Sequence, residues 1–215
     1  MEKFINEEHG VDPIVKAALV HYQFETTHPF LDGNGRIGRL LITLSLMNDG
    51  VLSDAIFYPS YQLKIRRAEY YAKITEVREK GLYAEWIEFF CDCLLASAED
   101  AIRAMELLVD LRTKNISLII ERMGRSASNG QRLLALIEGN PIVDVNFVSE
   151  KLDIARTTAV NLVRSFCELG ILVQPEAERQ RYRSYIYEDY VSILRRGGEP
   201  LKEGSPCAQA RSSIS

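Results

Sequence analysis

The sequence predicts a mainly α protein, with a helical domain over residues 1–123 followed by a small α+β domain over 131–196. Three observations predict it. Apolar residues recur with helical period from Asp12 to about Met123, and no alternating run precedes residue 140. After Gly130 the pattern changes to three short helical segments and then two short β-like runs. The chain has 215 residues, 47% hydrophobic and 26% charged, which is enough to bury a substantial core and ordinary for a globular protein.

The first periodic stretch runs from Asp12 to Thr27. Pro13 suits a first helical turn, and Ile14, Ala17, Ala18, His21 and either Phe24 or Glu25 share one side. A loop holding Pro29, Gly33, Asn34 and Gly35 interrupts it. The period resumes at Arg36, runs through Leu40, Leu41, Leu44 and Met47, and ends near Asn48-Asp49-Gly50 with a fitting C-terminal glycine. Tyr58-Pro59-Ser60 punctuates next, and Ser60 is expected to cap a helix from Tyr61 to about Lys80, closed by Gly81. Helical period then persists from Tyr83 to about Met123, with Trp86, Phe89, Phe90, Cys93, Leu94, Ala101, Met105 and Leu108 as expected core. That span is far longer than an ordinary helix, so a break is expected near Ser97.

Residues 124–130, small and polar, are expected to form an inter-domain linker. Helices are expected at Gln131–Glu138, Asn146–Leu152 and Arg156–Leu169. Strands are expected at Ile171–Val173 and Tyr182–Tyr187, turning through Pro175–Gln180. Three helices followed by a hairpin resemble a winged helix-turn-helix. Residues 197–215, rich in Gly, Pro, Ser and Ala, read as a disordered tail.

A net charge of −4 with a pI near 5.5 supplies no global attraction to nucleic acid or membrane. Cys91, Cys93, Cys167 and Cys207 form no C-x-x-C pair, so neither a disulfide framework nor a zinc site is expected. No apolar run of membrane-spanning length and no signal peptide is evident. The expectation is a cytoplasmic protein with reduced thiols and no membrane partner.

The chemistry concentrates in His28-Pro29-Phe30-Leu31-Asp32-Gly33-Asn34-Gly35-Arg36-Ile37-Gly38-Arg39. Gly33, Asn34 and Gly35 are residues that adopt positive φ, which lets successive N–H groups converge on one anion. The helix expected from Arg36 adds unpaired N–H groups and the positive end of its dipole. Arg36 and Arg39, three apart, lie near one helix face, and each offers a fork for phosphate oxygens. Asp32 at the loop mouth is placed to share a Mg²⁺ with phosphate oxygens. His28 is placed as a base against a hydroxyl approaching the bound phosphate. An anion hole, a carboxylate, two guanidinium groups and an imidazole suit in-line displacement at phosphorus. His9 and His21 have no such company and read as structural.

These twelve residues resemble the Fic motif, H-P-F-x-[D/E]-G-N-G-R-x-x-R, at every defined position. Gln23-Phe24-Glu25 before them, and Tyr58-Pro59 with residues 64–71 after them, are also similar to segments of that family. The resemblance spans roughly residues 1–110 and implies a Fic-type helical domain that transfers AMP from ATP to a Tyr, Ser or Thr hydroxyl of a protein. It implies His28 as the catalytic base and Asp32 as the Mg²⁺ ligand. Gly33, Asn34, Gly35, Arg36, Gly38 and Arg39 would bind the nucleotide. Phe30 would anchor the loop in the core, and Tyr70 and Tyr71 would lie near the adenine. Gly35 favours nucleotidyl transfer, since family members that phosphorylate carry Lys there.

Two family elements are not evident in these residues. One is the β-hairpin flap that docks the target strand. The other is the inhibitory helix [S/T]-x-x-x-E-[G/N]: Thr75 to Glu79 is followed by Lys80, and Ser117 to Glu121 by Arg122. The expectation is an N-terminally shortened core, the alternative a naturally short form lacking flap and inhibitor; a shortened core would bind ATP without the glutamate brake.

In the winged-helix reading, Thr157, Thr158, Asn161 and Arg164 face outward on the third helix, and Arg179, Arg181 and Arg183 lie on the hairpin. DNA is therefore a possible partner, the alternative being a protein-interaction or structural role. Against it, residues 127–196 hold nine Lys/Arg and nine Asp/Glu, and Ala155 stands where a capping Ser or Thr would be expected. The sequence thus leads to a protein adenylyltransferase, with homo-oligomerisation possible. The alternatives are a DNA-binding transcriptional regulator that senses nucleotide through a weakly active domain, or a hydrolase removing AMP with the same residues.

Overall fold

The computed structural model describes residues 1–6, 10–53, 59–175 and 183–195. The mainly α expectation holds: ten α-helices and two two-residue strands are present among the described residues. The chain divides into two compact units, Met1–Arg103 and Ala104–Ser215.

The first unit holds α1 (Glu2–Asn6), α2 (Pro13–Thr27), α3 (Asn34–Asn48), α4 (Ser60–Ile65), α5 (Arg67–Lys80) and the first part of α6 (Tyr83–Met123). Asp12 caps α2, its Oδ1 accepting from the amides of Ile14 at 2.8 Å and Val15 at 3.3 Å, with Pro13 in the first turn. Ala17 and Ala18 keep that face of α2 shallow, and Trp86 of α6 donates its indole N–H to the Ala18 carbonyl at 3.0 Å. Around this contact pack Tyr22, Ile42, Leu46, Ile74, Val77, Phe89, Phe90 and Cys93. A half-screened ion pair, Lys16 Nζ to Asp49 Oδ1 at 3.0 Å, ties the start of α2 to the end of α3.

Four details depart from the sequence expectations. First, α3 starts at Asn34 rather than Arg36. It also buries Gly38, Ile42, Ser45 and Leu46, while Leu40 and Leu44 are exposed. The face chosen is the one with the smallest side chain at Gly38, because that permits close approach of α2. Second, the helix expected over 61–80 is split at Arg66, and Ser60 lies inside α4, with Pro59 at the cap. Arg66 is drawn to Glu69 at 3.0 and 3.1 Å and over the Phe89 ring at 4.6 Å. Third, no break occurs at Ser97, whose hydroxyl donates to the Cys93 carbonyl one turn back at 2.7 Å, so the polar side chain is satisfied within the helix. Fourth, Met105 is exposed rather than core.

The second unit holds the remainder of α6, a 3-10 turn at Gly124–Ser126, α7 (Ala127–Gly139), β1 (Ile142–Val143), α8 (Val145–Leu152), α9 (Arg156–Glu168), β2 (Tyr185–Ile186) and α10 (Glu188–Arg195). β1 and β2 pair antiparallel, Ile142 with Ile186 and Val143 with Tyr185, and Val173 bridges Ile186 from the other side. Leu133, Leu134, Ile137, Val148, Leu162, Phe166 and Tyr187 form the core. Tyr187 is anchored by Asn115, whose amide donates to its hydroxyl at 2.6 Å.

The expected linker at 124–130 is instead helical for most of its length. A Cβ on Gly130 would lie 2.7 Å from Ile119 Cγ2 and 2.9 Å from Met123 Sδ, so this glycine serves packing. The units divide inside α6, not at 123. The strand expected at Tyr182–Tyr187 is confined to Tyr185–Ile186, while β1 and α10 add to the expected elements. Tyr58, Tyr182, the hairpin turn at 176–180 and the tail at 197–215 lie outside the described residues. Among the described residues no helix is long and apolar enough to cross a membrane.

Candidate functional site

The twelve-residue motif begins at the end of α2. His28 caps that helix in the left-handed conformation, φ 47 and ψ 58, with its amide donating to the Phe24 carbonyl at 3.0 Å. This left-handed cap turns the chain out of the helix, and His28 is exposed.

The loop that follows is closed by one side chain. Asn34 is buried, its Oδ1 accepting from the Phe30 amide at 2.9 Å and its Nδ2 donating to the Phe30 carbonyl at 2.6 Å. Asn34 therefore shapes the loop with its side chain. Its backbone amide and that of Gly35 are the first two of α3 and have no earlier carbonyl in the helix to meet. The amides of Arg36 and Ile37 are closed on the Gly33 carbonyl at 3.0 Å each. The Gly33 amide is taken by Asp32 Oδ1 at 2.6 Å. Of the three residues expected to take positive φ, Gly33 alone does, at 84°. The amides that an anion could meet are therefore those of Asn34 and Gly35, at the positive end of the α3 dipole, and not those of the whole loop.

Around those amides stand the charged groups. Asp32 is almost fully exposed and loosely paired with Arg36, Oδ2 to Nη2 at 3.8 Å. Arg39 folds back along α3, so that a Cβ on Gly35 would lie 3.1 Å from its Nη1. Phe30, expected to anchor the loop, is half exposed and only tilts against Phe24 at 6.2 Å between ring centroids.

Gly38 is buried against α2. A Cβ there would collide with Glu25 Oε1 and come within 3.1 Å of Phe24 Cδ1, so the residue serves helix packing rather than facing a nucleotide. Its carbonyl accepts from His21 Nδ1 at 2.9 Å, which leaves His21 Nε2 to accept from the Tyr70 hydroxyl at 3.1 Å. Buried among Trp86, Phe90 and Tyr70, the His21 imidazole titrates near 4, depressed chiefly by desolvation. Burial pushes the Tyr70 hydroxyl well above its ordinary range. Tyr70 is thus a core residue. Tyr71 is exposed beside it, under the Arg67 guanidinium at 5.5 Å. His9 lies outside the described residues.

The site includes one residue that the sequence pattern leaves unassigned. Glu25 is half buried, and among the described residues its Oε1 is enclosed without a hydrogen-bond partner. Its carboxyl is raised above the usual range by burial, opposed chiefly by the positive charge of Arg39. The signal is its place on the buried side of α2 three residues before His28, where a charged side chain is unusual.

Among the described residues no group of three or more His, Cys, Asp or Glu converges as a metal site. Asp32 offers a single exposed carboxylate. That fits a Mg²⁺ that arrives on a polyphosphate, keeps most of its waters and needs one protein ligand.

In the second unit, Thr157, Thr158, Asn161 and Arg164 are exposed on α9, as expected, and Ala155 caps α9 without a side-chain hydrogen bond. An open groove of about 950 Å³ runs along α9, lined among others by Asn146, Arg156, Val160, Arg164, Arg183 and Tyr185. Arg179 and Arg181 lie outside the described residues.

Residues 1–46 match the Fic/DOC family model. The protein adenylyltransferase fic-1 of Caenorhabditis briggsae is 36% identical over 109 residues, which are 49% of this chain and 20% of that protein. Its counterpart from Caenorhabditis elegans is 37% identical over 101 residues, 46% of this chain and 18% of that protein. The protein adenylyltransferase Fic of Drosophila melanogaster is 36% identical over 95 residues, 43% of this chain and 18% of that protein. The chain thus spans about a fifth of the length of these relatives. The crystal structure of a Fic family protein from Desulfovibrio desulfuricans G20 aligns with a TM-score of 0.42 at 24% identity, over 86% of this chain and 52% of that one. The match to the Fic/DOC family model thus covers the motif loop and most of α3, at whose start the Asn34 and Gly35 amides lie.

Proposed function

We propose that the chain is a protein adenylyltransferase, transferring AMP from ATP to a hydroxyl of a protein target. The observation that carries the reading is the juxtaposition of an exposed imidazole, held in a left-handed helix cap, with the free amides of Asn34 and Gly35 at the start of α3. Relatives named protein adenylyltransferases share this half of the chain.

The residues divide the work. The Asn34 and Gly35 amides, with Arg36 and Arg39, receive phosphate oxygens and neutralise the charge that builds up as the reaction proceeds. The incoming hydroxyl oxygen attacks the α-phosphorus, its proton passes to His28, and the bond from that phosphorus to the bridging oxygen breaks, releasing pyrophosphate. Asp32 would hold a Mg²⁺, which when bound would supply charge neutralisation on the leaving group. Tyr71, exposed on α5 beside the buried Tyr70, is the freer of the two tyrosines to meet an adenine ring.

The deciding experiment incubates the chain with candidate protein acceptors and ATP labelled at either the α or the γ position. Transfer of α label, abolished by substitution of His28, is the expected result. Transfer from the γ position alone means phosphorylation, and no transfer from either position overturns the reading.

For the second unit the reading is a winged helix-turn-helix in which α9 lies in the major groove of DNA, with Arg156, Arg164 and Arg183 on phosphates. What supports it is the helix and strand order from α7 to β2 and the three arginines lining one groove. A mobility shift with duplex DNA that weakens steeply with salt and is lost in Arg164→Glu is expected. Binding unaffected by that change assigns the groove another role. A cytoplasmic location accords with the reading.

A further inference from the structure

Glu25 and Arg39 occupy adjacent seats on α3. The Glu25 carboxylate lies against the bare Cα of Gly38, and the Arg39 guanidinium folds over the bare Cα of Gly35. Positions 35 and 38 are three apart on one helix and therefore share a face, one turn from each other. Among the described residues the two side chains form no ion pair, and Glu25 Oε1 is enclosed with no donor to satisfy it. A buried carboxylate oxygen without a donor is costly, so its natural complement is a donor that arrives when the site is in use. Arg39 is the cation on that face. His28, the other basic residue near Glu25, is in the left-handed cap and exposed.

Resting on the phosphate-site reading above, we propose that Glu25 is a positioning residue for Arg39. One edge of the guanidinium fork donates to Glu25 Oε1, and the opposite edge is thereby presented to the phosphates beyond the first. A guanidinium has donors on both edges, so gripping a carboxylate on one side leaves a bidentate pair for the ligand. This assigns a task to a charged residue on the inner side of α2 that neither the loop nor the core requires. It also explains why Gly35 and Gly38 are both bare, since a side chain at either one would displace one partner.

The test measures binding of ATP and of AMP by calorimetry to the full chain, in the wild type, Glu25→Gln, Arg39→Gln and the double variant. Glutamine keeps the volume of Glu25 against Gly38, and a thermal melt of each variant checks folding. The expected result is that Glu25→Gln weakens ATP by about tenfold while AMP changes less than about twofold, as befits a charge-assisted hydrogen bond that serves the longer ligand only. Added to Arg39→Gln, the Glu25 change should have no further effect on the ATP-to-AMP ratio. A ratio unchanged in Glu25→Gln, or a loss that adds fully to that of Arg39→Gln, overturns the proposal while leaving the phosphate site intact. Wild-type protein that binds neither nucleotide overturns both.

Discussion

The side chain of Asn34 grips both main-chain polar groups of Phe30, accepting from its amide at 2.9 Å and donating to its carbonyl at 2.6 Å. That single amide side chain closes the loop between the His28 imidazole and the start of α3. A residue expected to touch phosphate through its flexibility instead acts as a rigid clasp, and its own backbone amide is oriented by it.

Replacing Asn34 by Ala leaves two partly buried main-chain groups unpaired and should cost about 2–4 kcal/mol, on the basis of roughly 1–2 per unpaired group. Asn34→Asp keeps the acceptor but sets an anion against the Phe30 carbonyl, so it should be at least as damaging. Denaturant unfolding of both variants checks this. A Tm and midpoint within error of wild type for either would show that the clasp is dispensable.

His28 needs a replacement that removes the base without straining its left-handed backbone. Alanine there carries a penalty of about 1–2 kcal/mol, whereas asparagine visits this region readily. His28→Asn is therefore expected to melt near wild type, to bind ATP, and to lose about 10²–10⁴-fold in transfer rate. Initial rates with labelled ATP measure the loss, and retention of more than a tenth of the activity would deny His28 its role.

Gly38→Ala forces a methyl into the contact with Glu25 and Phe24 and should destabilise the first unit by about 1–3 kcal/mol through overpacking. In a Glu25→Ala background the same change should cost clearly less, because its principal obstacle is gone. Equal costs in the two backgrounds would mean that the helices part by some other route.

His21 links stability to pH. Its folded-state value near 4 is below the ordinary 6.5, so between those values the unfolded chain binds the proton and the folded chain resists it. Above pH 6.5 it contributes nothing to the pH dependence. As pH falls from about 6.5 to 4, stability should drop by about 3 kcal/mol from this group, with no further loss below 4. His21→Asn should be less stable at pH 7 yet show a shallower decline across that window. Parallel declines in urea titrations would exclude His21 as the source.

Local signals carry much of this protein. Pro13 after Asp12 marks the start of α2, the spacing of Trp86, Phe89, Phe90 and Cys93 marks the inner face of α6, and the dense motif from His28 to Arg39 locates the site. These are readable because each depends on neighbours a few residues away: a capping carboxylate, a 3.6-residue period, or a run of glycines before two arginines.

Other features depend on residues far apart in sequence. That α4 and α5 part at Arg66, and that α3 buries Gly38 in preference to Leu40, follow from side chains meeting across the fold. In the same way Tyr70 is claimed by His21 and Gly38 by Glu25 and Phe24, so two residues expected at the nucleotide belong to the packing. By itself the sequence determined that the twelve motif residues join two helices, since loop composition and helix period are local properties. Only the tertiary structure decided which amides begin α3 unpaired and which carboxylate packs against Gly38, because burial and hydrogen-bond saturation depend on every element packed around a group.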